Sequence, residues 1–192
     1  MISAILVAAG ESKRMGELKQ LMPFRKSTIL EQTIDNLLNS TVNEIILVLG
    51  FKAEEITKII AAKSIEIALN PDYQEGMSTS IIKGLDLVDD RTEAIMLALA
   101  DQPFIDSKII DRLIQQFYAH DKGIVIPAYR GKRGHPVIFA AKYKTELRRL
   151  TGDTGGRQII EEHLDDILEI TVDSPGINID IDTMSNYRSY IR

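Results

Sequence analysis

Apolar residues recur along this chain in short uninterrupted runs that alternate with stretches of helical spacing. The runs have the length of β-strands and lie at residues 2–8, 44–49, 65–69, 94–99, 123–127 and 168–172. Between them, apolar residues at intervals of three and four predict amphipathic helices at residues 28–38, 53–61, 78–88 and 107–118. The pattern therefore predicts strands and helices in alternation.

The strand runs are apolar at nearly every position, which is typical of strands covered on both faces by helices. We therefore expect an α/β protein with a mostly parallel central sheet, and a single domain over residues 1–192. The stretch 129–137 breaks the alternation with two glycines, several cationic side chains and a proline. It predicts a functional loop rather than a strand or a helix.

Composition narrows the possible functions. The 192 residues carry a net charge of -5, so the mildly acidic surface favours neither nucleic acid nor an anionic membrane as a partner. The chain contains no cysteine, which excludes disulfides, cysteine-ligated metals and thiol nucleophiles. The apolar opening lacks a basic leader and is too short to span a bilayer. We expect a cytoplasmic enzyme.

The first predicted strand is followed by small residues and then by cations. Ala8, Ala9 and Gly10 would let a ligand approach the backbone, and Arg14 and Lys19 add positive charge. The glycine patterns of a Walker A loop and of a dinucleotide fingerprint are both absent. The segment is a candidate polyphosphate site, and the alternative is an ordinary glycine turn with solvated lysines.

The sequence LVAAGESKRMGELKQL at residues 6–21 resembles the signature loop of the molybdenum cofactor nucleotidyltransferases and their sugar-phosphate and isoprenoid-precursor relatives. The resemblance implies a three-layer, Rossmann-like nucleotidyltransferase fold. It also implies that Ala8, Ala9 and Gly10 seat the base and phosphates, and that Arg14 and Lys19 contact the triphosphate. The Ala-Ala-Gly form is more similar to the cytidylyltransferase branch, so CTP is expected, with GTP as the alternative.

Two acidic segments are candidates for a metal site. Asp101 follows an apolar strand, where the negative charge of a carboxylate is costly to bury unless a cation or hydrogen bonds stabilise it. It is either a metal ligand or a turn residue. Alternation predicts Asn178, Asp180 and Asp182 on one face of an extended segment. Both segments resemble motifs of the family, which implies Mg²⁺ on Asp101 and Asp182, with Mn²⁺ also acceptable. Asp180 is the second choice, and Asp182 could instead cap a helix over 183–190.

Two further stretches resemble the molybdenum cofactor branch. In the first, GMSTS at 76–80, Ser80 is expected either to contact the nucleobase or to serve as an ordinary helix-start residue. The second resembles a Gly-His-Pro motif and is expected to bind the anionic pterin phosphate; its residues are Arg133, Gly134, His135 and Pro136. Without that resemblance, a lone histidine is more often structural.

A glycine-rich segment at 152–157 precedes a predicted helix and also resembles a family motif. It is expected to bind an anion at the helix N-terminus or simply to cap that helix through Asp153. His120 and His163 have no partner that the sequence identifies, and we interpret them as surface residues.

The resemblance implies a cytidylyltransferase whose catalytic residues are Arg14, Lys19 and Asp101. Its substrates would be CTP and a molybdopterin-type cofactor, and a molybdenum hydroxylase would be the recipient partner. In-line attack by an acceptor phosphate needs positioning and charge neutralisation rather than a covalent intermediate. The alternatives are a transferase that uses GTP or another small phosphate, and a protein that carries the molybdenum cofactor without catalysis.

Overall fold

The computed structural model describes residues 1–191. Its strands are β1 (Ile2–Val7), β2 (Pro23–Phe24), β3 (Ser27–Thr28), β4 (Glu44–Leu49), β5 (Glu66–Leu69), β6 (Ala94–Leu99), β7 (Ile124–Tyr129), β8 (Lys132–Arg133), β9 (Val137–Ala140) and β10 (Ile167–Thr171). Its α-helices are α1 (Ile29–Leu38), α2 (Ala53–Ile60), α3 (Met77–Leu85), α4 (Ser107–Ala119), α5 (Lys144–Leu147), α6 (Arg157–Glu162) and α7 (Met184–Tyr190). Short 3₁₀ helices lie at Lys19–Leu21, Tyr73–Glu75, Ala141–Tyr143, Leu164–Asp166 and Pro175–Asn178.

The central sheet has the strand order β10-β7-β9-β6-β1-β4-β5, and β8 pairs with β7 at one end. The pairs β1 with β4, β1 with β6, β4 with β5, and β7 with β10 are parallel. Strand β9 runs antiparallel between β6 and β7. The mostly parallel α/β sheet that the apolar runs predict is therefore confirmed.

Helices cover both faces of this sheet because successive strand residues point to opposite sides. On one face, apolar residues of α1, α2 and α4 pack on the sheet, and Ile2, Ala4 and Leu6 of β1 belong to this layer. On the other face, α3, α5 and α6 pack on residues that include Ile5 of the same strand. The result is a three-layer arrangement.

Local signals define where the first helix begins. Thr28 accepts a hydrogen bond from the backbone N–H of Glu31, and the Glu31 carboxylate accepts one from the Thr28 backbone N–H. This reciprocal capping box satisfies two N–H groups that the helix itself cannot pair. The predicted helix over 28–38 is confirmed as α1, with Thr28 as its cap.

The stretch 129–137, which the sequence predicts to be a loop, includes residues of three strands. Residues 130 and 131 form the turn of a small hairpin between β7 and β8, and Val137 already belongs to β9. The sequence pattern missed β9 because it has only four residues and follows a segment rich in glycine and charge. The consequence for function is that residues 134–136 connect two strands at the edge of a cavity.

Candidate active site

One ammonium group joins two carboxylates at the carboxyl end of the sheet. Lys19 Nζ lies 2.6 Å from Asp101 Oδ2 and 2.7 Å from Asp182 Oδ1. The side chains of Lys19 and Asp101 are each 16% exposed and that of Asp182 is 27% exposed. Arg14 reaches the other oxygen of Asp182 at 3.1 Å. Four residues from three segments that are far apart in sequence therefore form one charged cluster.

The topology explains how these residues meet. Strands β1 and β6 are parallel neighbours, so the loop after β1 and the turn after β6 lie at the same edge of the sheet. The C-terminal segment adds Asp182, because the Ile181 backbone N–H donates to the Asp101 carbonyl at 3.0 Å. Ile181 is fully buried in a small cluster with Met15 and Phe24, which anchors this segment.

The helix that follows Asp182 leaves this carboxylate free for other contacts. Thr183, not Asp182, caps α7, since its hydroxyl accepts from the Asn186 backbone N–H. The extended segment predicted around 178–182 is only partly correct, because Pro175–Asn178 forms a 3₁₀ helix. Ile177 and Ile181 are buried as alternation predicts, whereas Ile179 is only half-buried.

Burial and charge shift the pKa values of the cluster. Burial raises the pKa of Asp101, and the neighbouring Lys19 charge offsets only part of this increase. Burial opposes ionisation of Lys19 and Asp182 too, but their partners outweigh it. These partners are Asp101 and then Asp182 for Lys19, and Lys19 and then Arg14 for Asp182. The pKa of Lys19 is accordingly raised and that of Asp182 is lowered. Asp101 is therefore the carboxylate of this cluster whose negative charge is least well stabilised by its neighbours.

The donor set fits a divalent cation of the Mg²⁺ or Mn²⁺ type. Asp101 and Asp182 direct oxygens at the same point, and oxygen ligands are the ones that these ions prefer. The second oxygen of Asp101 is buried and accepts no hydrogen bond from residues 1–191. Asp180 is engaged differently, because it accepts from Gln102 Nε2 at 2.6 Å. The geometry favours Asp182 over Asp180 as the partner of Asp101.

The loop after β1 is held from within by a glutamine. Gln20 is buried, and its Nε2 donates to the carbonyls of Ala8 and Gly10 at 3.0 and 3.1 Å. Its Oε1 accepts from the Ser12 hydroxyl, which in turn accepts from the Lys19 backbone N–H. These contacts fix the backbone on either side of the cations. Sequence reasoning missed Gln20, although it adjoins Lys19.

Two cavities lie near this cluster: Arg14, Lys19 and Asp182 line the first, and the neighbouring Gln102 and Asp180 line the second. The first has a volume of about 550 Å³ and is lined by polar and charged groups that include Gly10, Ser12, Arg14, Lys19 and Asp182. The second has a volume of about 600 Å³ and combines an apolar wall with a charged edge. Its apolar wall includes Leu97, Ile126 and Phe139. Its edge includes Gly134, His135, the cations Lys132, Arg133 and Arg157, and the carboxylates Asp153, Glu161 and Asp180. We name them after the expectations from the sequence: the first is the triphosphate cavity and the second is the acceptor cavity.

Two backbone hydrogen bonds hold the 134–136 segment at the acceptor cavity. The Gly134 backbone N–H donates to the Pro127 carbonyl, and that of His135 donates to the Ile177 carbonyl. A side chain at position 134 would meet the Ile177 carbonyl, because an added Cβ would lie 2.2 Å from that oxygen. Burial lowers the pKa of His135 although Asp180 and Asp101 oppose this, so its imidazole is neutral near pH 7. A glycine followed by a neutral histidine is thus built into this wall.

A family model for the MobA-like NTP transferase domain matches residues 4–167 of this chain. The chain belongs to the MobA-like NTP transferase family. It is similar to the molybdenum cofactor cytidylyltransferase of Escherichia coli (strain K12), with 30% identity over 187 residues that cover 97% of this chain and 93% of the relative. It is also 28% identical to nicotine blue oxidoreductase of Paenarthrobacter nicotinovorans, over 93% of this chain and 92% of that protein.

Solved structures agree with this family membership. The crystal structure of Rv0371c from Mycobacterium tuberculosis H37Rv is similar with a TM-score of 0.90 and 30% identity, covering 99% of this chain and 96% of that one. The structure of Rv0371c in complex with manganese gives a TM-score of 0.86 at 29% identity, with coverage of 99% and 97%. The Rossmann-like fold that the signature loop implies is confirmed.

The structure brings together most of the residues that MobA-like NTP transferase motifs single out, but it places Ser80 differently. Ser80 is 2% exposed, and its hydroxyl accepts from Asn70 Nδ2 at 3.0 Å. Asn70 is itself buried and braces the turn before α3. A direct contact of Ser80 with the nucleobase stays a prediction, and the contacts seen here stabilise the loop.

Two minor expectations need correction. His163 is not a free surface residue, because its Nε2 lies 2.8 Å from Glu146 and its ring lies 4.9 Å from that of Tyr143. Asp153 does act as a cap, but for α3 rather than for the helix that follows it. Its carboxylate accepts from the Met77 backbone N–H at 3.0 Å. His120 is exposed, as expected.

Gln102 is the residue near the two carboxylates that sequence reasoning overlooked. It is 2% exposed, lines the acceptor cavity and holds Asp180, and its Oε1 is buried without a partner among the described residues. Its position directly after Asp101 was the available signal. Within residues 1–191, no helix has both the length and the apolar content needed to cross a bilayer.

The triphosphate cavity allows a direct test of close backbone approach. A Cβ added at Gly10 would meet no atom within 4 Å, so Gly10→Ala is expected to leave the melting temperature unchanged. Because Gly10 lines the cavity, the added methyl group would occupy ligand space, and we expect the KM for a nucleoside triphosphate to rise roughly tenfold. Steady-state kinetics and a thermal melt check this. An unchanged KM would show that no ligand approaches Gly10.

Proposed function

We propose that this protein transfers the CMP unit of CTP to the phosphate of a molybdopterin-type cofactor and releases pyrophosphate. The observation that carries the proposal is the shared point that Asp101 and Asp182 face. Asp182 lines the polar cavity together with Arg14 and Lys19, and Gln102, next to Asp101, lines the cavity with the apolar wall. The family membership and the similarity to the Escherichia coli cytidylyltransferase support it.

The residues of the triphosphate cavity suit a nucleoside triphosphate. Gly10 allows the chain of phosphates to lie against the backbone, while Arg14 and Lys19 offset its charge. Ala8 and Ala9, which precede Gly10, are buried and do not line the cavity. Asp101 and Asp182 would hold Mg²⁺, or Mn²⁺ as in the manganese complex of the mycobacterial relative. When bound, this cation would neutralise charge on the phosphate oxygens.

The acceptor cavity suits a molecule with a flat ring and a phosphate. Partly exposed apolar residues of its wall, such as Met77 and Leu99, can cover a ring. Arg133 and Arg157 at the edge, each paired with a glutamate in this structure, can turn to an anion. Neutral His135 can donate one hydrogen bond and accept another. The hydrogen bond from the Gly134 backbone N–H to the Pro127 carbonyl holds the backbone of this wall, and a substrate contact of Pro136 stays a prediction. These features favour a pterin phosphate over a free sugar phosphate.

The reaction requires no covalent intermediate on the protein. An oxygen of the acceptor phosphate forms a bond to the α-phosphorus of CTP, and the bond from that phosphorus to the bridging oxygen of the β-phosphate breaks. Pyrophosphate leaves with the electron pair, and Arg14 and Lys19 are placed to offset its charge. The protein contributes by positioning both substrates and by compensating charge.

A pyrophosphate-release assay tests the proposal. Purified protein is incubated with molybdopterin cofactor and Mg²⁺, separately with CTP, GTP, ATP and UTP. We expect release with CTP, because the Ala-Ala-Gly loop and the Escherichia coli relative both favour cytidine. Release with GTP alone would instead indicate a guanylyltransferase. Cofactor binding without release from any nucleotide would favour the carrier function.

A further inference from the structure

The Lys19 side chain occupies the position between Asp101 and Asp182 that a divalent cation would need. Its Nζ is within 2.7 Å of one oxygen from each carboxylate. Mg²⁺ binds carboxylate oxygens at about 2.0–2.1 Å, so an ion shared by the same two oxygens would lie almost against the ammonium group. Two positive charges so close together repel strongly in a partly buried site. Lys19 in this position and a cation on both carboxylates therefore exclude each other.

The surroundings of Lys19 give its ammonium group a second place to go. The backbone of Lys19 is held, since its N–H donates to Ser12 Oγ at 3.2 Å. Its side chain is a flexible four-carbon stem that can turn without moving this backbone. The stem lines the triphosphate cavity together with Arg14 and Lys13. An anion in this cavity would offer the ammonium group a new partner.

We propose that Lys19 is an internal counter-ion that releases Asp101 and Asp182 to the divalent cation only when a triphosphate takes over its ammonium group. This inference rests on the proposed function for the identity of the triphosphate. It makes the binding of cation and nucleotide cooperative, because each removes the obstacle to the other. Linkage requires the effect to be reciprocal. The cation site is thereby kept closed until the nucleotide arrives.

The first test measures Mn²⁺ binding without nucleotide, from the electron paramagnetic resonance signal of free Mn²⁺. Lys19→Met should bind Mn²⁺ about tenfold more tightly or better than the unaltered protein, a gain within the usual range of coupling between sites. Lys13→Met is the matched control. It removes the same charge from the same loop, but Lys13 is exposed and pairs with Glu11 rather than with the two aspartates. Its effect on Mn²⁺ binding should be less than twofold.

The reciprocal test measures CTP binding by calorimetry in the presence of EDTA. Asp101→Asn frees Lys19 from one carboxylate, so it should bind metal-free CTP several-fold more tightly than the unaltered protein. Asp180→Asn is the control, since it removes a nearby negative charge that is held by Gln102 and not by Lys19. Equal gains in both variants would reduce the effect to general electrostatics and overturn the proposal.

Other outcomes are equally decisive. If Lys19→Met binds Mn²⁺ no better than the unaltered protein, Lys19 is not the obstacle. Lys19→Gln covers the case in which Lys19→Met does not fold, because its amide can still donate to one carboxylate without charge. Lys19→Met could bind Mn²⁺ more tightly while the unaltered protein releases no pyrophosphate from any nucleotide. That result would support the counter-ion function of Lys19 and reject the transferase function, so the two proposals can fail separately.

Discussion

Asp101→Asn is expected to reduce CTP-dependent pyrophosphate release by roughly 100- to 1000-fold, the usual loss when a charged group that stabilises a transition state is removed. Asparagine has almost the same shape as aspartate, but it cannot supply the second carboxylate that faces the shared point with Asp182. The variant should fold normally, because the raised pKa of Asp101 indicates that its buried charge does not favour folding. Initial rates at saturating Mg²⁺ and a thermal melt check both statements.

Asp180→Asn and Asp182→Asn complete this experiment. Asp180 is held by Gln102 and lies outside the Lys19 cluster, so its replacement should cost less than tenfold in rate. Asp182 contacts both Lys19 and Arg14, and its replacement should approach the effect of Asp101→Asn. If Asp180→Asn proved the more damaging of the two, Asp180 would be the second ligand. Full activity of Asp101→Asn would refute the proposed site.

Phe139→Ala is expected to lower the free energy of unfolding by about 3–5 kcal/mol, as is usual for the removal of a buried aromatic ring. Phe139 is fully buried in β9, opposite Ile95 of β6 and Ile124 of β7. Its ring packs edge-on to Tyr143 and lies so close to Gly156 that a side chain there would collide with it. Its removal would leave a hole between the sheet and the segment before α6. Urea unfolding measures the loss.

Two variants calibrate this prediction. Phe139→Leu keeps most of the apolar volume and should lose roughly 1–2 kcal/mol, less than alanine. Leu164→Ala removes a side chain that is 64% exposed and should change stability by no more than about 0.5 kcal/mol. Phe139 borders the acceptor cavity but has no exposed surface of its own, so Phe139→Leu should leave the KM for CTP unchanged. A loss below 1 kcal/mol for alanine would contradict the packing described here.

The cluster around Lys19 shows which features of the site the sequence predicts and which it does not. The loop motif singled out Arg14 and Lys19. Asp101 was singled out by its position directly after a different apolar strand, residues 94–99. Neither motif indicates that Lys19 contacts Asp101, because these residues are separated by 82 positions and meet only through the pairing of β1 with β6. The choice of Asp182 over Asp180 likewise depends on which side chain faces Lys19 and which faces Gln102.

By itself the sequence determined the alternation of strands and helices, the mostly parallel sheet and the motifs of the family, because hydrophobic periodicity and short motifs are local properties of the chain. Only the tertiary structure decided that β9 enters the sheet in the opposite direction, that Gln20 and Gln102 brace the site, and that one ammonium group joins two distant carboxylates. The physical reason is that strand pairing and side-chain contacts join residues remote in sequence, and no local pattern encodes which of them will meet.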